Sequence, residues 1–155
     1  MKIYLDTCCY GRPFDDQSEP NTKAETEAIL AAVELCKLAE VAVFGSPALT
    51  DEIADIPDDD NGTADTRKKV RDFYDFTVTN YIQLSGDIVL RARDFIKQGM
   101  KRYDSYHLAF AEAINVDFLV TTDKKFFRRA PRFGAKINVV NPITFLPEIE
   151  KWAQL

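Results

Sequence analysis

A chain of 155 residues, 46% hydrophobic and 29% charged, is long enough to bury a core without disulfides and has the balance of a globular protein. Its net charge of −5 argues against strong non-specific DNA binding, and no apolar run approaches the ~20 residues that span a bilayer. Three cysteines, with Cys8 and Cys9 adjacent, suit a reducing cytosol better than a disulfide framework; Asp6 interrupts any signal-peptide stretch, so a cytoplasmic location is expected.

Met1 to Asp6 reads as a short buried strand, Ile3, Tyr4 and Leu5 running into a carboxylate. Gly11-Arg12-Pro13-Phe14-Asp15-Asp16 then breaks regular structure. Thr22 and Glu25 form a capping-box pair that predicts a helix starting near Asn21–Lys23. Its apolar stripe is Ala28, Ile29, Ala32, Val33, Leu35, Cys36 and Ala39. A second strand, Val41–Phe44, closes at Gly45-Ser46, and Pro47 suits the first turn of the next helix. Asp58-Asp59-Asp60-Asn61-Gly62 reads as a turn, followed by a helix over Arg67–Phe76 and a weak strand over Tyr81–Leu84. Ser85–Lys97 predicts a helix with Ile88, Val89, Ala92, Phe95 and Ile96 inward, stopped by Gly99. Tyr103–Ile114 is a further helix, apolar almost all round. Phe118–Val120 and Ile137–Val140 complete the strands. Continuous apolar strands alternating with helices indicate an α/β fold, a parallel sheet covered on both faces, in a single domain over residues 1–155.

In such a sheet ligands bind beyond the carboxyl ends of the strands. Asp6 ends the first strand, and Asp123 follows Phe118–Val120 after Thr121-Thr122. Asp104 opens the helix that leads into that strand, and Glu52 lies one to two turns into the helix after Val41–Phe44. Any one of these alone is a solvated strand end or a helix cap. Four acids at one edge raise one another's pKa unless a cation neutralises them. Hard divalent ions take oxygen ligands, and with water they promote hydrolysis at phosphorus.

Other residues carry two readings. Lys124, Lys125, Arg128, Arg129, Arg132 and Lys136 form a basic stretch without an acid, either a phosphate-contacting rim or a solvated face. Arg12 touches phosphate or braces Asp15 or Asp16. Glu25 is the third-position partner of a Thr22 cap or an accessory acid near the metal. His107, the single histidine, reads as a core histidine satisfied by a hydrogen bond rather than a general base. Phe73, Tyr74 and Phe76 read as core or a subunit contact. There is no G-x-S-x-G elbow, P-loop or G-x-G-x-x-G, and Cys8-Cys9 lack partners for zinc. The acidic turn fails as a calcium loop, whose first and last ligands would be Pro57 and Lys68.

Ile3-Tyr4-Leu5-Asp6-Thr7 resembles the opening strand of PIN-domain nucleases. Ser46-Pro47-Ala48-Leu49-Thr50-Asp51-Glu52-Ile53 fits their second acidic motif, with Glu52 preferred over Asp51 because it precedes an aliphatic residue. Tyr103-Asp104-Ser105-Tyr106-His107-Leu108-Ala109-Phe110-Ala111 looks like the third, and Val120-Thr121-Thr122-Asp123-Lys124-Lys125-Phe126 is similar to the fourth. The order matches over essentially the whole chain; Cys8 departs from the family's usual small polar residue. The resemblance implies a PIN-like three-layer α/β/α sandwich with a central parallel sheet. It further implies an RNA substrate and Mg²⁺ or Mn²⁺ bound by Asp6, Asp104 and Asp123, with Glu52 holding a water or ligating directly. Thr7 and Thr122 would orient the carboxylates, and Arg12, Lys124, Lys125 and Arg128 are candidates for RNA contact. VapC-like toxins of toxin–antitoxin pairs are the nearest functional relatives so implied, which adds an antitoxin and a homodimer as candidate partners. A non-catalytic PIN-fold partner-binding domain is the alternative, and the presence of all four acids counts against it. A receiver domain would leave Asp104 and Asp123 unexplained.

Overall fold

The computed structural model describes residues 1–57 and 65–154, so the turn expected over residues 58–62 lies outside the described residues. Strand β1 (Lys2–Leu5) runs into a short helix, α1 (Thr7–Gly11), and a 3-10 turn, Arg12–Phe14. Then come α2 (Pro20–Leu38), β2 (Ala42–Gly45), α3 (Pro47–Ala54), α4 (Thr66–Thr77) and β3 (Asn80–Tyr81). The remainder is α5 (Gly86–Lys97), α6 (Arg102–Ile114), β4 (Phe118–Val120), α7 (Lys124–Arg129), β5 (Asn138–Val140) and α8 (Pro142–Ala153). Among the described residues no helix is long and apolar enough to cross a membrane.

The sheet order is β3-β2-β1-β4-β5, every neighbouring pair parallel, as the alternation of strands and helices requires. β1 is central, and pairing runs past its end, where Asp6 N–H donates to Val120 C=O at 2.9 Å. Successive strand residues point to opposite faces. Ile3 and Leu5 therefore share one side, beside Ile29, Val33 and Cys36 of α2 and Phe145 of α8. Tyr4 points to the other side, toward Ser46 before α3 and His107 on α6. By the same alternation Asp6 emerges on Tyr4's side.

Several elements differ from their sequence reading. Helix α2 begins at Pro20 with Glu19 preceding it and no side-chain cap. Thr22 is inside the first turn and forms no capping box with Glu25, because Pro20 supplies the fixed φ that starts the helix earlier. Helix α1 occupies residues ahead of the Gly11–Asp16 break. Ile96 is 38% exposed, and Ile88, Ala92 and Phe95 alone form the deeply buried stripe of α5. Strand β3 is two residues long and lies slightly earlier than Tyr81–Leu84. Helix α8, capped by Asn141 and carrying Pro147 inside it, packs along α2. Gly99, with φ +101°, ends α5 as expected. Gly45 is required for another reason: a Cβ there would lie 2.1 Å from Tyr74 Oη.

Candidate metal centre

Asp6 is 5% exposed at the head of α1. Its Oδ1 accepts the Thr7 N–H at 2.7 Å. Its Oδ2 accepts the Thr121 hydroxyl at 2.7 Å and the Cys8 thiol at 3.3 Å. Thr121 Oγ1 also accepts the Asp123 N–H at 3.1 Å, joining the first and last acids. Asp123 caps α7, its Oδ1 accepting from the N–H groups of Lys125 and Phe126 at 2.9 and 3.3 Å. Its position follows from the turn that β4 must make into a helix.

Glu52 is carried in by α3, whose start is fixed by Ser46 Oγ accepting the Leu49 N–H at 3.2 Å. Glu52 Oε1 lies 2.8 Å from His107 Nε2, and Asp6 Oδ1 lies 3.3 Å from the same nitrogen. Asp51, the other acid in that register, is exposed. His107 is wholly buried, and its Nδ1 is 2.7 Å from Tyr4 Oη, which in turn is 2.6 Å from Ser46 Oγ. The ligand atoms of Asp6, Glu52 and His107 all fall within 4.8 Å of one another. Burial alone would lower the His107 pKa, but the charges of Asp6 and Glu52 and the Glu52 hydrogen bond raise it. Burial would likewise raise Glu52, and the bond and charge of His107, with Thr7 nearby, bring it below the usual carboxylate value.

Asp104 lies one turn before His107 on α6 and is half-buried. Burial first, then the charges of Asp6, Asp123 and Glu52, push its pKa up to about 7 against the opposing effect of His107. Asp104 thus feels the charges of the three other acids at one edge of the sheet. Asp104 and Asp123 line a cleft of about 130 Å³ together with Lys101, Lys125 and Arg129. A larger groove of about 370 Å³ runs beside α3 and α6, lined by Asp51, Asp55, Arg102 and Tyr103 among others.

A hard divalent cation fits this donor set, since donor atoms of Asp6 and Glu52 lie within 4.8 Å of one another and it would neutralise them together with Asp104, which burial and neighbouring charge hold at about 7. Thr7 Oγ1 is also buried here without meeting hydrogen-bond geometry to any described residue.

The remaining candidates sit elsewhere or do other work. Thr122 Oγ1 accepts from Arg12 at 2.8 Å, while it is Thr121 that holds a carboxylate. The register explains this: Leu5 pairs with Val120, so Thr121 follows on the same side as Asp6. Arg12 is a brace, bound to Asp15 at 3.1 Å as well as to Thr122. Glu25 is half-buried on α2, near enough to Cys9 to add to the burial that raises that thiol's pKa. Of the basic stretch, Lys125 and Arg129 line the cleft, and Lys124 and Arg128 are exposed. Tyr4, Ser46, Thr121 and Cys8 were not legible as site residues, although Tyr4 shares the parity of Asp6.

No protein-family model matches the chain, and no curated protein does. Solved structures do share its fold. A chain of FitAB bound to the IR36 DNA fragment is 18% identical, with 91% of this chain and 95% of that chain covered and a TM-score of 0.57. A chain of VapBC2 from Rickettsia felis, bound to a DNA fragment from their promoter, is 17% identical, with 91% and 98% covered and a TM-score of 0.52. The fold is PIN-like.

Proposed function

We propose that this chain is a divalent-metal-dependent ribonuclease that hydrolyses RNA phosphodiester bonds and serves as the toxin of a toxin–antitoxin pair. One observation carries the first half: Asp104, half-buried at the edge of the sheet where it feels the charges of Asp6, Asp123 and Glu52, is pushed up to about 7 by burial first and by those charges second. The likeness in fold to structures of VapBC2 and FitAB supports the second half.

Asp6, Asp104 and Asp123 would hold Mg²⁺ or Mn²⁺, with Glu52 beside them. When bound, the cation would neutralise these acids and supply the Lewis acidity that activates water for attack on phosphorus. The chain's own part is preorganisation. Asp6 is oriented before any ligand arrives, by the Thr7 N–H and the hydroxyl of Thr121. Asp104, held at about 7 by burial and then by the neighbouring charges, would lose its proton on binding a cation. Lys101, Lys125 and Arg129 surround the cleft that contains Asp104 and Asp123, where cations attract a phosphate backbone.

The test is direct. Purified protein cuts single-stranded RNA with Mg²⁺ or Mn²⁺ and stops with EDTA; cleavage undiminished by chelation overturns the mechanism. For the toxin half, expression arrests growth, and co-expression of a small upstream reading frame relieves the arrest. Unimpaired growth with soluble protein that cuts RNA removes the toxin half and leaves the ribonuclease. A homodimer enters the same reading, with Phe76, 62% exposed on α4, in the contact. Phe73 and Tyr74 are engaged inside, packed edge-on against Tyr10.

A further inference from the structure

We infer that His107 is a positioning residue for the metal centre, locked by Tyr4 and Ser46 so that its Nε2–H holds Glu52 and Asp6 without ligating the cation. The inference rests on the ribonuclease reading only in needing a divalent cation at this site.

A wholly buried imidazole must satisfy both nitrogens within the protein. Nε2 faces Glu52 at 2.8 Å and Asp6 at 3.3 Å, and an ionised carboxylate only accepts. Nε2 therefore carries a proton, and in the neutral imidazole Nδ1 accepts from Tyr4 Oη at 2.7 Å. Tyr4 Oη in turn accepts from Ser46 Oγ at 2.6 Å. Ser46 accepts the Leu49 N–H that starts α3. Every proton then runs one way, from Ser46 through Tyr4 and His107 to Glu52.

The path begins and ends on the α3 segment, and it crosses two of the three other segments that carry acids, β1 with Asp6 and α6 with Asp104. Tyr4 stands two residues before Asp6 on the same side of β1. His107 follows Asp104 by three residues on α6, close to one helical turn. Three polar side chains in the core are costly unless each is paired. The opposite face of the same strand is filled by apolar groups around Ile3 and Leu5, with Thr77 the one buried hydroxyl among the residues that line it. What the polar path adds is a fixed relation between the segments bearing Asp6, Glu52 and Asp104. Partners that orient metal ligands in this way are worth about 10- to 100-fold in metal affinity or activity.

The chain has a single histidine, so the ¹⁵N imidazole spectrum of the full-length protein reports His107 alone. The expected result is a proton on Nε2, retained when Mg²⁺ is added. Calorimetry of Tyr4→Phe should show Mg²⁺ affinity lower by about 10- to 100-fold, with kcat reduced and the KM for RNA unchanged. His107→Gln, which keeps an N–H donor, should retain more affinity than His107→Ala. Loss of the Nε2 proton on adding Mg²⁺ makes His107 a ligand and overturns the inference. So does wild-type affinity in Tyr4→Phe, the variant that removes a single hydroxyl. A wild-type chain that binds no divalent cation overturns the ribonuclease reading as well, which separates the two failures.

Discussion

The two faces of β1 are made of different material. On one, Ile3 and Leu5 meet α2 and α8 through Ile29, Val33, Cys36 and Phe145, apolar against apolar. On the other, Tyr4 is buried as completely but is held by hydrogen bonds to Ser46 and His107. A change on the first face is felt as volume, through lost transfer energy and the cavity left behind. A change on the second is felt as geometry, because stranded donors and acceptors cannot repair themselves in a dry core. Stability rests chiefly on the α2–α8 side, and the proposed chemistry belongs to the α3–α6 side.

Phe145→Ala should produce the largest stability loss, about 3–5 kcal/mol, read from the denaturant midpoint. Cation affinity of the folded protein should be unchanged; a parallel loss of affinity would dissolve the distinction between the faces. Asp6→Asn should do the reverse. Cleavage falls by about 100-fold or more on loss of a directly oriented ligand. Stability falls by only ~1 kcal/mol, as the Thr121 hydroxyl meets an amide in place of a carboxylate.

Asp104→Asn sharpens the comparison through pH. The native carboxyl, raised from 3.8 to about 7, keeps a proton that the unfolded chain releases. Without divalent ions, wild-type stability is therefore penalised progressively as pH rises from about 4 to about 7. The formal ~1.4 kcal/mol per pKa unit is discounted because water reaches this half-buried group, leaving on the order of 1–2 kcal/mol. The variant should melt above wild type at pH 8 and level with it near pH 4, with Mg²⁺ narrowing the gap at pH 8. A variant less stable than wild type at pH 8 would make Asp104 a structural acid. The smallest effect belongs to the cleft rim. Lys125→Ala with Arg129→Ala should flatten the slope of log affinity for single-stranded RNA against log salt by roughly 1.4. The same pair of changes at Lys124 and Arg128 should do less, and equal slopes would return the rim to ordinary solvated surface.

How much of this was legible depends on the range of the interaction. The strands around Ile3–Leu5, Val43 and Phe118–Val120 are continuous apolar runs, visible within a few residues. The meeting of the four acids follows once those runs are read as a parallel sheet, because strand ends and helix starts share one edge. Helix α1 is too short for a helical period, and Pro147 makes α8 resemble a break. The Thr22–Glu25 pattern misdirects the start of α2 because it competes with a stronger local signal, Pro20 at the first turn. His107 reads correctly as a satisfied core histidine, yet its partners are 55 and 103 residues away. Only the folded sheet brings them together. The same limit applies to Thr121, whose role depends on the Leu5–Val120 register.

The most direct test titrates Mn²⁺ into EDTA-treated protein while following cleavage of a single-stranded RNA, with Asp6→Asn measured in parallel. Saturable activation from a baseline of no cleavage in the wild type, and a flat response in the variant, is the result expected from carboxylates gathered around a cation. Cleavage that persists in EDTA, or that Asp6→Asn leaves intact, would contradict it.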